Sequence, residues 1–240
     1  MYDNNHANED KLTILAFSST IFVWFEGNLA KVNLFNLLKL PLAYFGGVRV
    51  QDTFVFDQLS RILVRQNRLE HITYKQLSVR VNKFANVLKS KGIQKGDRVC
   101  IYLPMIPELS IALLACARIG AIHSVVFAGF SATALATRIN DSNCKMVITS
   151  DGSFRGNKTI DLKGIVDEAM DSCTCVESVL VVKRINSEIQ MKSGRDFWIA
   201  PLLEKASDAC EIEIMDAEDP LFILYTSGST GMPKGMVHST

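Results

Sequence analysis

Little in this sequence offers a large charged partner anything to hold. Lys and Arg number 26 against 25 Asp and Glu, a formal net charge of +1 over 240 residues. A balance that close lays down no single-sign field, so DNA and RNA binding are not expected. Long apolar runs are missing too. The stretch LTILAFSSTIFVWF at 12–25 falls short of the roughly 20 residues that a bilayer-spanning helix needs, and LFNLLKLPLAYF at 34–45 is broken by Pro41. The preceding MYDNNHANED is acidic, whereas a secretory signal carries a basic leader. The 12–25 run is therefore read as a buried segment, and membrane attachment is not expected.

Cysteine is sparse, at 100, 116, 144, 173, 175 and 210. Cys173 and Cys175 form a C-x-C pair, but no second pair or histidine stands at metal-ligand spacing, so no structural metal is expected. Cys100 and Cys116 fall inside apolar runs, where a thiol behaves as a small hydrophobe. Reduced thiols suit a cytoplasmic compartment. Repeats and low-complexity tracts are absent as well.

What is present is a chain with 48% apolar residues, enough for a real core. From about residue 70 its text is regular. Thr73 followed by Gln76 has the form of a capping box. Leu77, Val81, Phe84, Ala85 and Leu88 then recur at helical spacing, with Gly92 as the stop. RVCIYL (98–103) reads as a strand, and Pro107 opens a helix that Gly120 closes. IHSVVF (122–127), KMVITS (145–150), ESVLVVK (177–183) and LFILYT (221–226) read as further strands. SATALATRIND (131–141), with Ser131 as cap, and IDLKGIVDEAM (160–170) read as helices, and 184–196 as a loop. Alternating strands and helices, with strands apolar on both faces, predict an α/β fold built on a doubly wound, mostly parallel sheet. Ligands of such sheets sit beyond the carboxyl ends of the strands.

Two segments follow such strand ends. The first is TSGSTGMPKG (226–235). Gly228, Gly231 and Gly235 permit close backbone approach. Consecutive amides can nest an anion. Thr226, Ser227, Ser229 and Thr230 add hydroxyls, and Lys234 a mobile positive charge. A Walker A loop needs Gly before the lysine and a hydroxyl after it; Pro233 and Gly235 occupy those slots, so an ordinary P-loop is excluded. A flexible linker would need neither the apolar LFILY before it nor the proline. Phosphate binding is the reading that fits.

LYTSGSTGMPKG resembles the signature loop of the adenylate-forming superfamily, which includes acyl-CoA synthetases, luciferases and peptide-synthetase adenylation domains. ITYKQL, FANVLKSKGIQKGDRV, YLPMIPE, LLACARIGAIHSVVFAGFSATALATRI and MDAEDPLFILYTSGSTG are similar to acetyl-CoA synthetases in particular, over about residues 70–240. That resemblance implies an acetate–CoA ligase (AMP-forming) that uses acetate, ATP with Mg2+, and CoA. Thr226, Ser227, Gly228, Ser229, Thr230, Gly231 and Lys234 would then hold the ATP phosphates. The second segment, SFRGNK (153–158), matches the family's R-G-G-K stretch. Arg155, Gly156, Asn157 and Lys158 would face CoA, with Asn157 replacing a glycine. Phe127 and Gly129 would face CoA too, with Ala128 replacing a glycine of the usual Phe-Gly-Gly.

His123 is read as a core or sheet-end histidine, His238 as a shaper of the pocket and Trp198 as a packing aromatic. The family's adenine, ribose and hinge segments have no counterpart in this text. The expected organisation is a divergent segment, 1–69, and a partial AMP-binding domain, 70–240, forming an N-terminal fragment with no complete catalytic set. Two alternatives stand beside it: another short-chain acyl-CoA synthetase, acting for example on propionate, and a truncated, non-catalytic binding protein.

Overall fold

The computed structural model describes residues 13–17, 20–25, 28–33, 61–65, 68–155, 158–226 and 233–240. The chain divides into two compact units, Met1–Val55 and Phe56–Thr240. In the first, β1 (Thr13–Phe17), β2 (Thr20–Phe25) and β3 (Asn28–Asn33) pair as an antiparallel sheet in that order. The apolar run at 12–25 thus supplies two neighbouring strands of a meander.

The second unit opens with an antiparallel pair, β4 (Arg61–Arg65) and β5 (Arg68–His71). Helix α1 (Tyr74–Ser90) follows, and the capping box forms as read. The Gln76 amide donates to Thr73 Oγ1 at 3.3 Å, while the Thr73 amide donates to Gln76 Oε1 at 2.8 Å. Leu77, Val81, Phe84, Ala85 and Leu88 are all buried, and Gly92 ends the helix at φ +85°.

Strand β6 (Arg98–Ile101) leads to α2 (Pro107–Arg118), whose first residue is the proline. Next come β7 (Ile122–Val125), α3 (Ala132–Ser142), β8 (Met146–Ser150), β9 (Ser153–Arg155), β10 (Lys158–Ile160) and α4 (Leu162–Met170). Ser131 and Asp161 cap α3 and α4 by accepting from the amides of Ala134 and Gly164. Then β11 (Ser178–Val182), β12 (Asp196–Trp198), α5 (Ile199–Lys205), β13 (Pro220–Thr226) and β14 (Lys234–Ser239) complete the order.

The main sheet has seven strands in the order β12-β11-β8-β6-β7-β13-β14. Six run parallel, and β14 returns antiparallel along β13. Every residue of β8 and β11 is buried, as a parallel sheet covered on both faces requires. On one face, side chains from α3 and α4, among them Leu135, Ile139, Leu162 and Val166, form a continuous core with Cys100, Val147 and Val179 of the strands.

One polar group is set into this packing. Lys163, 1% exposed, brings Nζ to 2.6 Å from Asp167 and 2.8 Å from Asp196, and donates to the Gln190 carbonyl at 3.1 Å. Arg195 bridges the same two carboxylates. Burial pushes the Asp196 carboxyl up, but hydrogen bonds from Arg195, Lys163 and the Lys192 amide more than offset that and leave it below the usual range. The network ties α4 to the strand that starts 33 positions after Lys163.

Candidate functional site

Since β6, β7, β8 and β13 run parallel, the connections after them leave one edge of the sheet. Strand β13 ends at Thr226 and β14 begins at Lys234. Thr226 pairs with Lys234, and Tyr225 with Gly235. The two ends of the glycine- and hydroxyl-rich connection are therefore fixed on adjacent strands, with Thr226 and Lys234 both exposed. Ser227, Gly228, Ser229, Thr230 and Gly231 lie outside the described residues.

Tyr225 anchors the base of this connection. Its hydroxyl donates to Asp141 Oδ2 at 2.6 Å and lies 3.3 Å from the Arg138 carbonyl, both on α3. Burial, and after it the Asp141 carboxylate, push the phenol well above its ordinary value, so it stays a donor. The ring lies over Gly235, where an added Cβ would come within 3.2 Å of Cε1 and Cζ.

At the end of β8, Asp151 is fully buried, and its Oδ1 accepts from the amides of Arg184 (2.7 Å) and Ile185 (3.1 Å). Gly152 follows, where a Cβ would stand 2.8 Å from the Ile160 carbonyl oxygen and would also meet the Ile185 side chain. SFRGNK then forms a hairpin, with Arg155 opposite Lys158 across β9 and β10. Phe154, Arg155 and Lys158 are exposed at its tip; Gly156 and Asn157 lie outside the described residues. Three-residue strands carry too little alternation to be read from sequence.

At the end of β7, Phe127 is 64% exposed and Gly129 has φ +135°. Tyr102, buried at the end of β6, donates its hydroxyl to the Phe130 carbonyl at 2.7 Å and accepts from the Gly129 amide at 3.1 Å. The sheet order places β8 three strand spacings from β13, roughly 14 Å. The hairpin and the glycine-rich connection thus flank the 127–130 turn along one edge.

His123 and His238 lie farther down the strands. Phe222 stacks on His123 (5.6 Å between centroids) and on His238 (4.4 Å) across β7, β13 and β14. Burial lowers the His123 pKa to about 4, so the imidazole is neutral at physiological pH and packs as an aromatic. Trp198 is partly buried against the α3/α4 core. Among the described residues no group of three His, Cys, Asp or Glu could hold a metal, and all six cysteines are unpaired. No helix among them is long and apolar enough to cross a membrane.

Sequence reasoning missed Tyr102, Arg138, Asp141 and Tyr225. Tyr102 meets Gly129 and Phe130 across 27 and 28 positions, and Tyr225 meets Arg138 and Asp141 across 87 and 84, so only the two hydroxyls in otherwise apolar strands hinted at these contacts.

Comparison with known proteins agrees with this architecture. Residues 53–240 match the family of AMP-binding enzymes. An acetyl-coenzyme A synthetase of Desulfatibacillum aliphaticivorans is 60% identical over 171 residues, 71% of this chain and 26% of that protein. One from Magnetococcus marinus is 56% identical over 220 residues, 90% of this chain and 32% of its own length. Acetyl-coenzyme A synthetase 2 of Pseudomonas aeruginosa is 58% identical over 170 residues, again 71% and 26%. The chain thus spans between a quarter and a third of the length of these relatives.

Proposed function

This chain belongs to the family of AMP-binding enzymes, and from that membership we propose that it carries the phosphate-gripping and CoA-facing part of an acetate–CoA ligase (AMP-forming). In that reaction an acetate oxygen attacks the α-phosphorus of ATP. The bond to the β-phosphate bridge breaks and pyrophosphate leaves with its electron pair. The CoA thiolate then attacks the acyl carbon and AMP departs.

The observation that carries this reading is the connection between β13 and β14, held at both ends on the carboxyl edge and opened by Thr226 and closed by Lys234. Amides and hydroxyls of Ser227 to Gly231, with Thr226 and Lys234, would stabilise charge as it builds on the leaving pyrophosphate. Arg155 and Lys158, at the exposed tip of the β9–β10 hairpin, would pair with CoA phosphate, and Phe127 would offer an aromatic face to its adenine. Gly156, Asn157 and Gly129 would shape those two turns. Magnesium, when bound to ATP, adds positive charge on the phosphates. It keeps several waters and takes few protein ligands. Six free thiols agree with a reducing, cytoplasmic setting.

The test is a transplant. In the Desulfatibacillum relative, the matching 171-residue stretch is replaced by that of this chain. Acetate-dependent pyrophosphate release, followed by CoA-dependent AMP release, is the expected result. A folded chimera that releases no pyrophosphate would overturn the reading.

A further inference from the structure

Two of the segments on the carboxyl edge share one cation. Arg138, on α3, carries its guanidinium carbon 4.8 Å from the Phe130 ring centroid and 5.5 Å from that of Tyr225. Its Nη1 donates to the Ala134 carbonyl at 2.6 Å, fixing the side chain along its own helix. Phe130 closes the turn that Tyr102 clamps. Tyr225 stands one residue before Thr226, with its hydroxyl on Asp141 and its ring over Gly235. An arginine between two rings gains quadrupole attraction from both, and a planar guanidinium does this better than a lysine ammonium.

We propose that Arg138 is a positioning residue that holds the 127–130 turn and the feet of the 226–235 connection in one arrangement, so that the two ligand-facing segments are not set independently. The proposal rests on the functional reading above for which ligands would report it, but not for the arrangement itself. Removing the cation lets the Phe130 and Tyr225 rings separate, and each takes its backbone with it. The same loss would be felt at both ends of the edge, although Arg138 need touch no ligand. Coupling through one shared side chain in this way is reciprocal.

The experiment compares Arg138→Met, which keeps length and apolar packing, with Arg138→Lys, in the 240-residue chain. Amide hydrogen exchange is read at Phe130, Tyr225, Thr226 and Gly235, with thermal unfolding as a control on the fold. The same variants are titrated with inorganic pyrophosphate and, separately, with CoA. In Arg138→Met, exchange is expected to quicken at both the turn and the hairpin feet. Both affinities should fall by roughly 3- to 10-fold, the size of one lost cation–π contact, and Arg138→Lys should recover part of each. Arg155→Ala, by contrast, should weaken CoA alone. Faster exchange at only one segment, or at neither, overturns the positioning role. Should Arg138→Met unfold, Arg138→Lys and Phe130→Leu must still shift exchange at the hairpin feet, and unchanged feet in both overturn it. If exchange responds as expected while the transplanted enzyme releases no pyrophosphate, the positioning role is supported and the functional reading falls.

Discussion

Lys163 and Asp196 lie 2.8 Å apart with 1% and 0% of their side chains exposed. A buried pair of this kind contributes little net stability over an apolar replacement, but breaking it leaves one uncompensated charge. Because Arg195 stays on Asp196, Lys163→Met should cost about 1.5–3 kcal/mol, the size of a lost charged hydrogen bond, read as a lower urea midpoint with an unchanged slope. The carboxyl of Asp196 is held below its ordinary value. Its contribution is thus present above about pH 4, the unfolded range, and is lost as pH falls through the folded value. Asp196→Asn should remove that acid-limb dependence.

His123 works in the same sense, at higher pH. Its folded pKa is lowered to about 4 by burial, while the unfolded side chain titrates near 6.5. Between those values the unfolded chain takes up a proton that the folded chain refuses, so stability falls as pH drops across that window, by up to roughly 1.4 kcal/mol per unit. His123→Phe should flatten the slope between about pH 4 and 6.5 without losing the stack on Phe222. Melting curves at half-unit steps would reveal a persisting slope if another group were responsible.

Lys234 stands at the foot of the proposed phosphate connection, exposed and paired through the backbone with Thr226. In the transplanted enzyme, Lys234→Ala should slow acetate-dependent pyrophosphate release by about 10- to 1000-fold, as for other lost charge-stabilising donors. The second half-reaction, started from supplied acetyl-adenylate, should be nearly unaffected. Equal slowing of both would assign the lysine a different task.

Gly152 is closed to any side chain by the Ile160 carbonyl at 2.8 Å and by Ile185. Gly152→Ala should cost about 1–3 kcal/mol through overpacking. It should also weaken CoA more than pyrophosphate, because the strain enters at the base of the β9–β10 hairpin. Chemical denaturation and two titrations check it.

Local signals carried much of the fold. The capping box at Thr73 and Gln76, the proline at 107 and the uniformly apolar β8 and β11 each act within a few residues, so they are readable one segment at a time. Strand β14 was not legible. KGMVHS is mostly exposed and becomes a strand only by pairing with β13, eight positions or more away. Nothing local marks Lys163 for burial, because Asp196 and Arg195 reach it only through the fold. At the candidate site, the residue types at 155, 158, 226 and 234 were plain in the text. The supports beneath them, Tyr102, Asp141 and Tyr225, were not, since a hydroxyl in an apolar strand does not say which distant group it will meet.

The pairing of Tyr225 with Gly235 has a consequence for how this edge tolerates change in length. Slipping the β13–β14 ladder by one place would drive Met236 beneath the tyrosine ring, where even a methyl would come within 3.2 Å of it. The glycine therefore works as an index pin. Insertions between positions 227 and 233 must bow outward rather than slide the strands, leaving the spacing of Thr226 and Lys234 intact.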